Sequence, residues 1–443
     1  MIDQFSLFAP IALFFVLMFA GLPVAFSLGI GGVVGLLMTF GLGPTLGMLE
    51  TLPFRTTASY TLTTIATFVF MAELATHSGI TKRLFAAADS FVGHMRGGLA
   101  IATVYASAAF GAISGSSVAA AATMAGIAAP QMKETGYRST LAAGVISIAG
   151  TLSVLIPPSL ILIIYGIITE TSIRKLLLAG IIPGVITAIA YVITVMIWLR
   201  VDPEAAPQRR PAATWSTRWR ESRAAWPFVL VVATVFVGLY AGIVTTTEAG
   251  ALGAIATLLV WFAGSIIWKS DFNSFDRENL SSSVLQTLKT TGMIVSLLIG
   301  AYFFSYFLTA TGVTRVVAES IIALDVEPWV ILIATVALLL ILGMFLSQLE
   351  ILVLTMPLLF PVIMQLGYDP VWFGIIVVKT VEIGLVSPPV GMNVYVVAGS
   401  SRGAVTPADG FRGAAPFIVT EMFIIGLFIA FPKIITFLPN IAS

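Results

Sequence analysis

Apolar stretches long enough to cross a bilayer follow one another along almost the whole chain, parted by short polar breaks. A helix needs about 20 apolar residues to span the hydrocarbon core. On that measure the pattern predicts spans near 5–20, 24–42, 59–77, 139–169, 177–200, 226–242, 246–268, 290–310, 371–400 and 413–437. The spans at 139–169 and 371–400 are interrupted. Two further apolar stretches, 97–132 and 328–365, are near twice the length of one helix. Each breaks at a polar, glycine-containing centre, GAISGSS at 111–117 and GMFLSQLE at 343–350. Both read as re-entrant hairpins whose half-helices enter and leave on one side. The alternation of a membrane β-barrel is absent, so the expected fold is an all-α polytopic membrane protein.

The same pattern repeats. Pro130 matches Pro361, Gly136-Tyr137 matches Gly367-Tyr368, and Pro157-Pro158 matches Pro388-Pro389, all at an offset of 231 residues. Gly111 matches Gly343 and Thr123-Met124 matches Thr355-Met356 at 232; Gly79-Ile80-Thr81 resembles Gly312-Val313-Thr314 at 233. Five crossings per half is an odd number, so the halves are inverted with respect to one another. The expected division is a first inverted repeat over 1–200, a cytoplasmic basic linker over 201–225, and a second repeat over 226–443. Inverted repeats with interrupted helices mark secondary transporters. Amphipathic stretches near 44–58 and 271–289 occupy equivalent places and read as interfacial arms bracing a scaffold.

Charge orients this arrangement. With the N-terminus outside and each hairpin making no net crossing, sixteen of the 22 Lys and Arg residues fall inside. They are Lys82, Arg83, Arg96, Lys133, Arg138, the six arginines from Arg200 to Arg223, Lys269, Arg277, Lys289, Arg402 and Arg412. Arg55, Arg174, Lys175, Arg315 and Lys433 fall outside, and Lys379 lies within a span. Glu319, Asp325, Glu327 and Asp369 flank the second hairpin on the outer side. The positive-inside rule favours this orientation. The linker mixes its arginines with Trp215 and Trp219, next to Trp226, which suits interfacial anchoring.

Composition closes several alternatives. The chain has 443 residues, of which 58% are hydrophobic and 10% charged, too apolar for a water-exposed surface. There is no cysteine for disulfides or thiol chemistry, and His77 and His94 are too few for a histidine-rich metal centre. A net charge of +1 offers no basic field for nucleic acid. The start, MIDQFSLFAP, lacks the basic residues and cleavage site of a signal peptide, so 5–20 is expected to be a retained span.

Candidate chemistry sits at the four breaks, GAISGSSVAAAATMAG (111–126), GTLSVLIPPSL (150–160), GMFLSQLE (343–350) and IGLVSPPVGMN (383–393). Glycine permits sharp turns and Pro-Pro removes backbone donors, leaving carbonyls free. Unpaired backbone at membrane depth is tolerated where it lines a cavity or binds something. Half-helices starting after each tip aim N–H groups and positive dipole ends inward, as an anion requires. Free carbonyls and hydroxyls suit a hard cation, sodium, with Ser114, Gly115, Ser116, Gly150, Ser153, Pro157, Gly343, Ser347, Gly384, Ser387, Val390 and Asn393 as candidate ligands. Ser116, Ser117, Pro158, Ser159, Pro389, Gly391 and Asn393 are the candidate contacts to an organic anion. Two pseudo-symmetric sites are expected, each pairing a hairpin tip with the break of its own half. No organic cofactor is expected. The bland alternatives are helix packing for a small-residue cluster, a kink for Pro-Pro, and a hydroxyl bonded back to its own helix for each serine.

Ionisable groups in apolar stretches default to functional hypotheses, and five stand out: Glu73, Glu248, Glu350, Lys379 and Glu382. Lys379 and Glu382, three apart on one helix, are expected to pair, with a substrate or coupling role as the alternative. Glu248 suits a first-turn acid at a helix start, after Thr245, Thr246 and Thr247. His77 suits a structural place at a membrane edge. Glu73 and Glu350 have no assignment from sequence.

The strings GAISGSSVAAAATMAGIAAPQM (111–132), LIPPSLILIIYG (155–166), GIVTTTEAGALGA (242–254), LGMFLSQLEILVLTMPLLFPVI (342–363), GYDPVWFG (367–374) and IGLVSPPVGMNVYV (383–396) together resemble the large membrane subunit of the tripartite ATP-independent periplasmic (TRAP) transporters, over essentially the whole chain. That resemblance implies an elevator mechanism in a bacterial inner membrane, driven by a sodium gradient and moving a small organic acid. It also implies two partners, a small four-helix membrane subunit and a soluble periplasmic substrate-binding protein. The chain departs from the family pattern at Ser347, where an Asp is frequent, and at Ser387, where Thr is usual before Pro-Pro. The short N-terminus carries no fused small subunit, so a separate chain is expected. The rival is a stand-alone sodium-coupled dicarboxylate carrier of the same architecture. A membrane enzyme is disfavoured because no nucleophile–base pair appears, and a passive channel because two hairpins suit alternating access better.

Overall fold

The computed structural model describes residues 4–208, 211–267, 272–323 and 326–441. Of the charges used above for orientation, Arg209, Arg210, Lys269 and Asp325 lie outside these residues. The described residues form helices throughout, with one turn of 3-10 helix at Pro203–Ala205 and no strand. In the first half these are α1 (Gln4–Phe19), α2 (Val24–Phe40), α3 (Leu42–Thr57), α4 (Tyr60–Ser78), α5 (Ile80–Val92), α6 (Gly98–Ser114), α7 (Ser117–Glu134), α8 (Ser139–Leu155), α9 (Leu160–Thr169) and α10 (Ile173–Val201). A polar helix, α11 (Trp215–Ala224), follows. The second half holds α12 (Trp226–Tyr240), α13 (Thr246–Ile267), α14 (Arg277–Ala310), α15 (Val313–Ile322), α16 (Pro328–Gly343), α17 (Gln348–Gln365), α18 (Pro370–Gly384), α19 (Met392–Ser400), α20 (Pro407–Ala430) and α21 (Lys433–Ile441).

α10, α13, α14, α17 and α20 are each long and apolar enough to cross a membrane. α3–α4, α8–α9 and α11–α12 qualify as bent pairs, with bends of 49°, 46° and 49°. The all-α polytopic class read from the sequence is thus the observed one.

The helix order of 80–169 returns in 313–400, and the packing returns with it. α1 packs on α2 as α12 packs on α13, and the contact of α2 with α14 is matched by that of α13 with α4. α6 packs on α8 as α16 packs on α18. Other contacts cross between the halves: α7, besides packing on α8 of its own half, lies on α19, and α17 lies on α9. Glycine permits the closest approaches, because small residues let membrane helices meet backbone to backbone. A Cβ on Gly144 of α8 would lie 2.2 Å from the Gly413 carbonyl carbon of α20, and one on Gly32 of α2 would lie 2.5 Å from the Phe303 carbonyl carbon of α14.

Two expectations need correction. The stretch 271–289 is not a separate arm: from Arg277 onward it is the N-terminal part of the single 34-residue helix α14. Nothing between 277 and 290 breaks a helix, whereas α3 and α4 part at Ala58–Ser59. The last predicted span, 413–437, is divided, because Pro432 lacks the N–H that would continue α20.

Candidate functional site between the hairpin tips

Each hairpin tip rests on the break of its own half. A Cβ on Gly111 would lie 2.3 Å from Ser153 Cα. Gly115 adopts φ +57°, and a Cβ there would lie 2.8 Å from the Pro158 oxygen and 2.9 Å from the Leu160 nitrogen. Gly343 and Gly384 face each other in the second half, where a Cβ on Gly384 would come within 2.4 Å of Gly343 Cα. Larger residues at these positions would push tip and break apart.

The polar centre is built around Ser117, the first residue of α7 and 1% exposed. Its Oγ accepts from Gln348 Nε2 at 2.9 Å and from Asn393 Nδ2 at 3.4 Å. Gln348 Nε2 also donates to Glu382 Oε1, and the Ser117 hydroxyl bonds the same carboxylate. Ser117 opens α7, Gln348 opens α17 and Asn393 lies in the first turn of α19, so three helix N-termini converge here. Their positive dipole ends favour a negative ligand. Ser117 and Gln348 are also 231 residues apart. Each opens the second helix of its hairpin, so this contact joins the two tips.

The other predicted residues are spread around this core. Ser114, buried at the end of α6, has an Oγ without a partner, as does Asn393 at its Oδ1. Ser116 and Ser159 cap α7 and α9 by accepting from Ala119 and Leu162 N–H, both at 3.3 Å. Ser153 donates to the Ser107 carbonyl at 3.3 Å, and Ser387 bonds back to Ile383 at 2.7 Å, the bland alternative for that residue. Gly150 lies against α7, where an added Cβ would be 2.8 Å from the Ser117 oxygen. Pro157 and Pro158 are buried, but Pro388, Pro389 and Val390 are exposed, so the two breaks differ in access. The first spans 156–159 and the second 385–391. Gly391 turns the second break at φ +55°.

The expected Lys379–Glu382 pair is not formed. Lys379 Nζ lies 2.6 Å from Glu421 Oε1 on α20 and 3.1 Å from Thr187 Oγ1 on α10. Tyr191, held by Thr151 at 2.9 Å, donates to the same Glu421 oxygen. The two side chains leave α18 toward different neighbours, Lys379 toward α10 and α20, Glu382 toward the hairpin tips. Glu350 caps α17 by accepting from Ser347 N–H at 2.8 Å, and Glu248 does the same for Thr245 at 2.7 Å. His77 sits one turn from Glu73, with Nδ1 2.9 Å from its carbonyl oxygen and 4.0 Å from its carboxylate.

Sequence reasoning missed Gln348, Glu421 and Tyr191. Glu421 lies in an apolar stretch and answers to the rule that singled out Glu382. Gln348 stood in the quoted second tip beside Ser347. Tyr191, an aromatic in an apolar helix, gave no signal.

The model of the DctM component of the tripartite ATP-independent periplasmic transporters matches residues 11–434. The chain belongs to this family of transporter permeases. It is 34% identical over 390 residues to the C4-dicarboxylate TRAP transporter large permease protein DctM of Pseudomonas aeruginosa, covering 87% of this chain and 88% of that one. It is 30% identical over 425 residues to the sialic acid TRAP transporter large permease protein SiaM of Vibrio cholerae, covering 96% of each. Among solved structures, the YdaH transporter of Alcanivorax borkumensis superposes with a TM-score of 0.61 at 13% identity, covering 89% of this chain and 90% of that one. That likeness concerns the fold alone. The permease is a multi-pass membrane protein whose class moves a substrate rather than transforming it.

Proposed function

We propose that this permease imports a small organic acid across the bacterial inner membrane, coupled to sodium and delivered by a periplasmic binding protein. The observation that carries the reading is the convergence of three helix N-termini on Ser117, with unpaired oxygens beside them. The dipole ends suit the carboxylate of a substrate. Ser114 Oγ and Asn393 Oδ1 are oxygens without hydrogen-bond partners, the donor type that a hard cation takes. The relatives named for C4-dicarboxylates and for sialic acid support a carboxylate cargo.

Movement is proposed to be of the elevator type. The hairpins and broken helices slide as one body against a scaffold of α1–α4 and α12–α14, with α5 and α15 as connectors. A separate four-helix membrane subunit braces the scaffold. The N-terminus lies on the periplasmic side and the 201–225 linker in the cytoplasm.

Reconstituted uptake tests this. The ligand that co-purifies with the neighbouring binding protein is identified and offered to proteoliposomes holding the permease and small subunit. Uptake should require both sodium and the binding protein. Sodium-dependent uptake without the binding protein would establish the stand-alone carrier instead, and sodium-independent uptake would sink the coupling. Ser116→Ala and Asn393→Ala should each raise the sodium concentration for half-maximal uptake; unchanged sodium activation would remove those residues from the site.

A further inference from the structure

Charge accounting around Ser117 leaves one group unbalanced. Glu382 is 1% exposed, and its contacts at the tips, Gln348 and Ser117, are neutral. Among the described residues the cation near it is Lys379, which is 2.6 Å from Glu421, and both members of that pair are 1% exposed. The other ionisable groups near Glu382 among the described residues are Glu421 itself and Tyr191. Neither supplies positive charge. An uncompensated carboxylate at such a depth is strongly unfavourable.

The atoms left unpaired say what would compensate it. Glu382 Oε2 and Asn393 Oδ1 are buried and meet no donor. Both belong to side chains that reach Ser117, and both are acceptors. An anion would be repelled there, whereas a cation completes both oxygens. The chemistry is also confined to one half. At the 231-residue offset, Glu382 corresponds to Thr151 and Asn393 to Leu162, neither of which offers a charge.

We propose that Glu382 is the anionic ligand of a sodium ion held jointly with Asn393 Oδ1, beside the Ser117 cluster. The proposal rests on the sodium-coupled reading above and adds an order to it. Bare Glu382 repels the carboxylate of the substrate across the Ser117 cluster; sodium bound there removes that repulsion. Sodium therefore enters before substrate, and this ion binds with no substrate present.

The test needs no knowledge of the cargo. The thermal-unfolding midpoint of the purified full chain in detergent is followed against NaCl, with choline chloride as the control. Wild type should show a sodium-specific rise, and Glu382→Gln should move its half-effect concentration up by about tenfold or more, a change of ~1.4 kcal/mol. Glu382→Asp, which keeps the charge, should recover part of the loss. A wild-type half-effect concentration in Glu382→Gln, with Asn393→Ala impaired, overturns this proposal and leaves sodium coupling standing. No sodium-specific rise in wild type defeats the coupled reading and this proposal together. If Glu382→Gln does not fold, wild-type crystals soaked in thallium decide the matter: an anomalous peak beside Glu382 supports the assignment, and its absence there overturns it.

Discussion

Ser117 shows how little polar material the centre of this protein uses. One hydroxyl gathers an amide from the second hairpin, an amide from the second broken helix and a carboxylate from α18. Behind it, Lys379 and Glu421 form a pair closed to solvent. Removing one member of a buried pair strands the other, at a cost of about 3–5 kcal/mol, while replacing both with apolar residues of similar size is often near neutral. Lys379→Met alone should therefore destabilise the permease strongly, and Lys379→Met with Glu421→Leu should recover most of the loss. Unfolding of the two single variants and the double variant measures the coupling; additive losses would count against the pair. At this scale the sequence was only partly legible. Polar residues in apolar stretches were visible, but which neighbour each one faces depends on how α18 is rotated in its packing. Spacing alone paired Lys379 with Glu382, and a residue on α20 took its place.

Helices were more legible than partners, because each carries its own start and stop. Gly79, Gly115, Pro328 and Pro370 sit at or next to helix ends in the structure, and both hairpins fall where the apolar runs broke. The arm before α14 failed for a physical reason: its polar residues describe where the helix leaves the hydrocarbon, not where it stops. At 34 residues α14 is about 50 Å long, well beyond a hydrocarbon core of about 30 Å. Helix contacts give a paired test of packing. Gly144→Val would drive a side chain into the Gly413 backbone of α20 and should cost about 3 kcal/mol or more. Gly292→Ala, on the exposed face of α14 with nothing within 4 Å, should instead add about 0.5–1 kcal/mol. Thermal-unfolding midpoints should move in opposite directions; a neutral Gly144→Val would mean that α8 and α20 are not held in this contact.

Over the whole molecule, the backbone repeat and the charge pattern carry different information. The repeat was legible because Gly and Pro at turns recur at a nearly fixed offset, and the crossed contacts of α7 with α19 and α17 with α9 follow the same plan. Orientation across the membrane rests on charge alone. The absence of cysteine makes this directly measurable. In intact spheroplasts a membrane-impermeant maleimide should label Thr171→Cys, and should label Ser216→Cys only after permeabilisation. The reverse pattern would invert the proposed topology.

The contact between Ser117 and Gln348 also bears on how the two hairpins can move. Ser117 opens α7 and Gln348 opens α17, so one buried hydrogen bond joins the tip of the first hairpin to the tip of the second. Shifting either tip alone would forfeit that bond where no water replaces it. The link therefore resists any displacement that the two tips do not share.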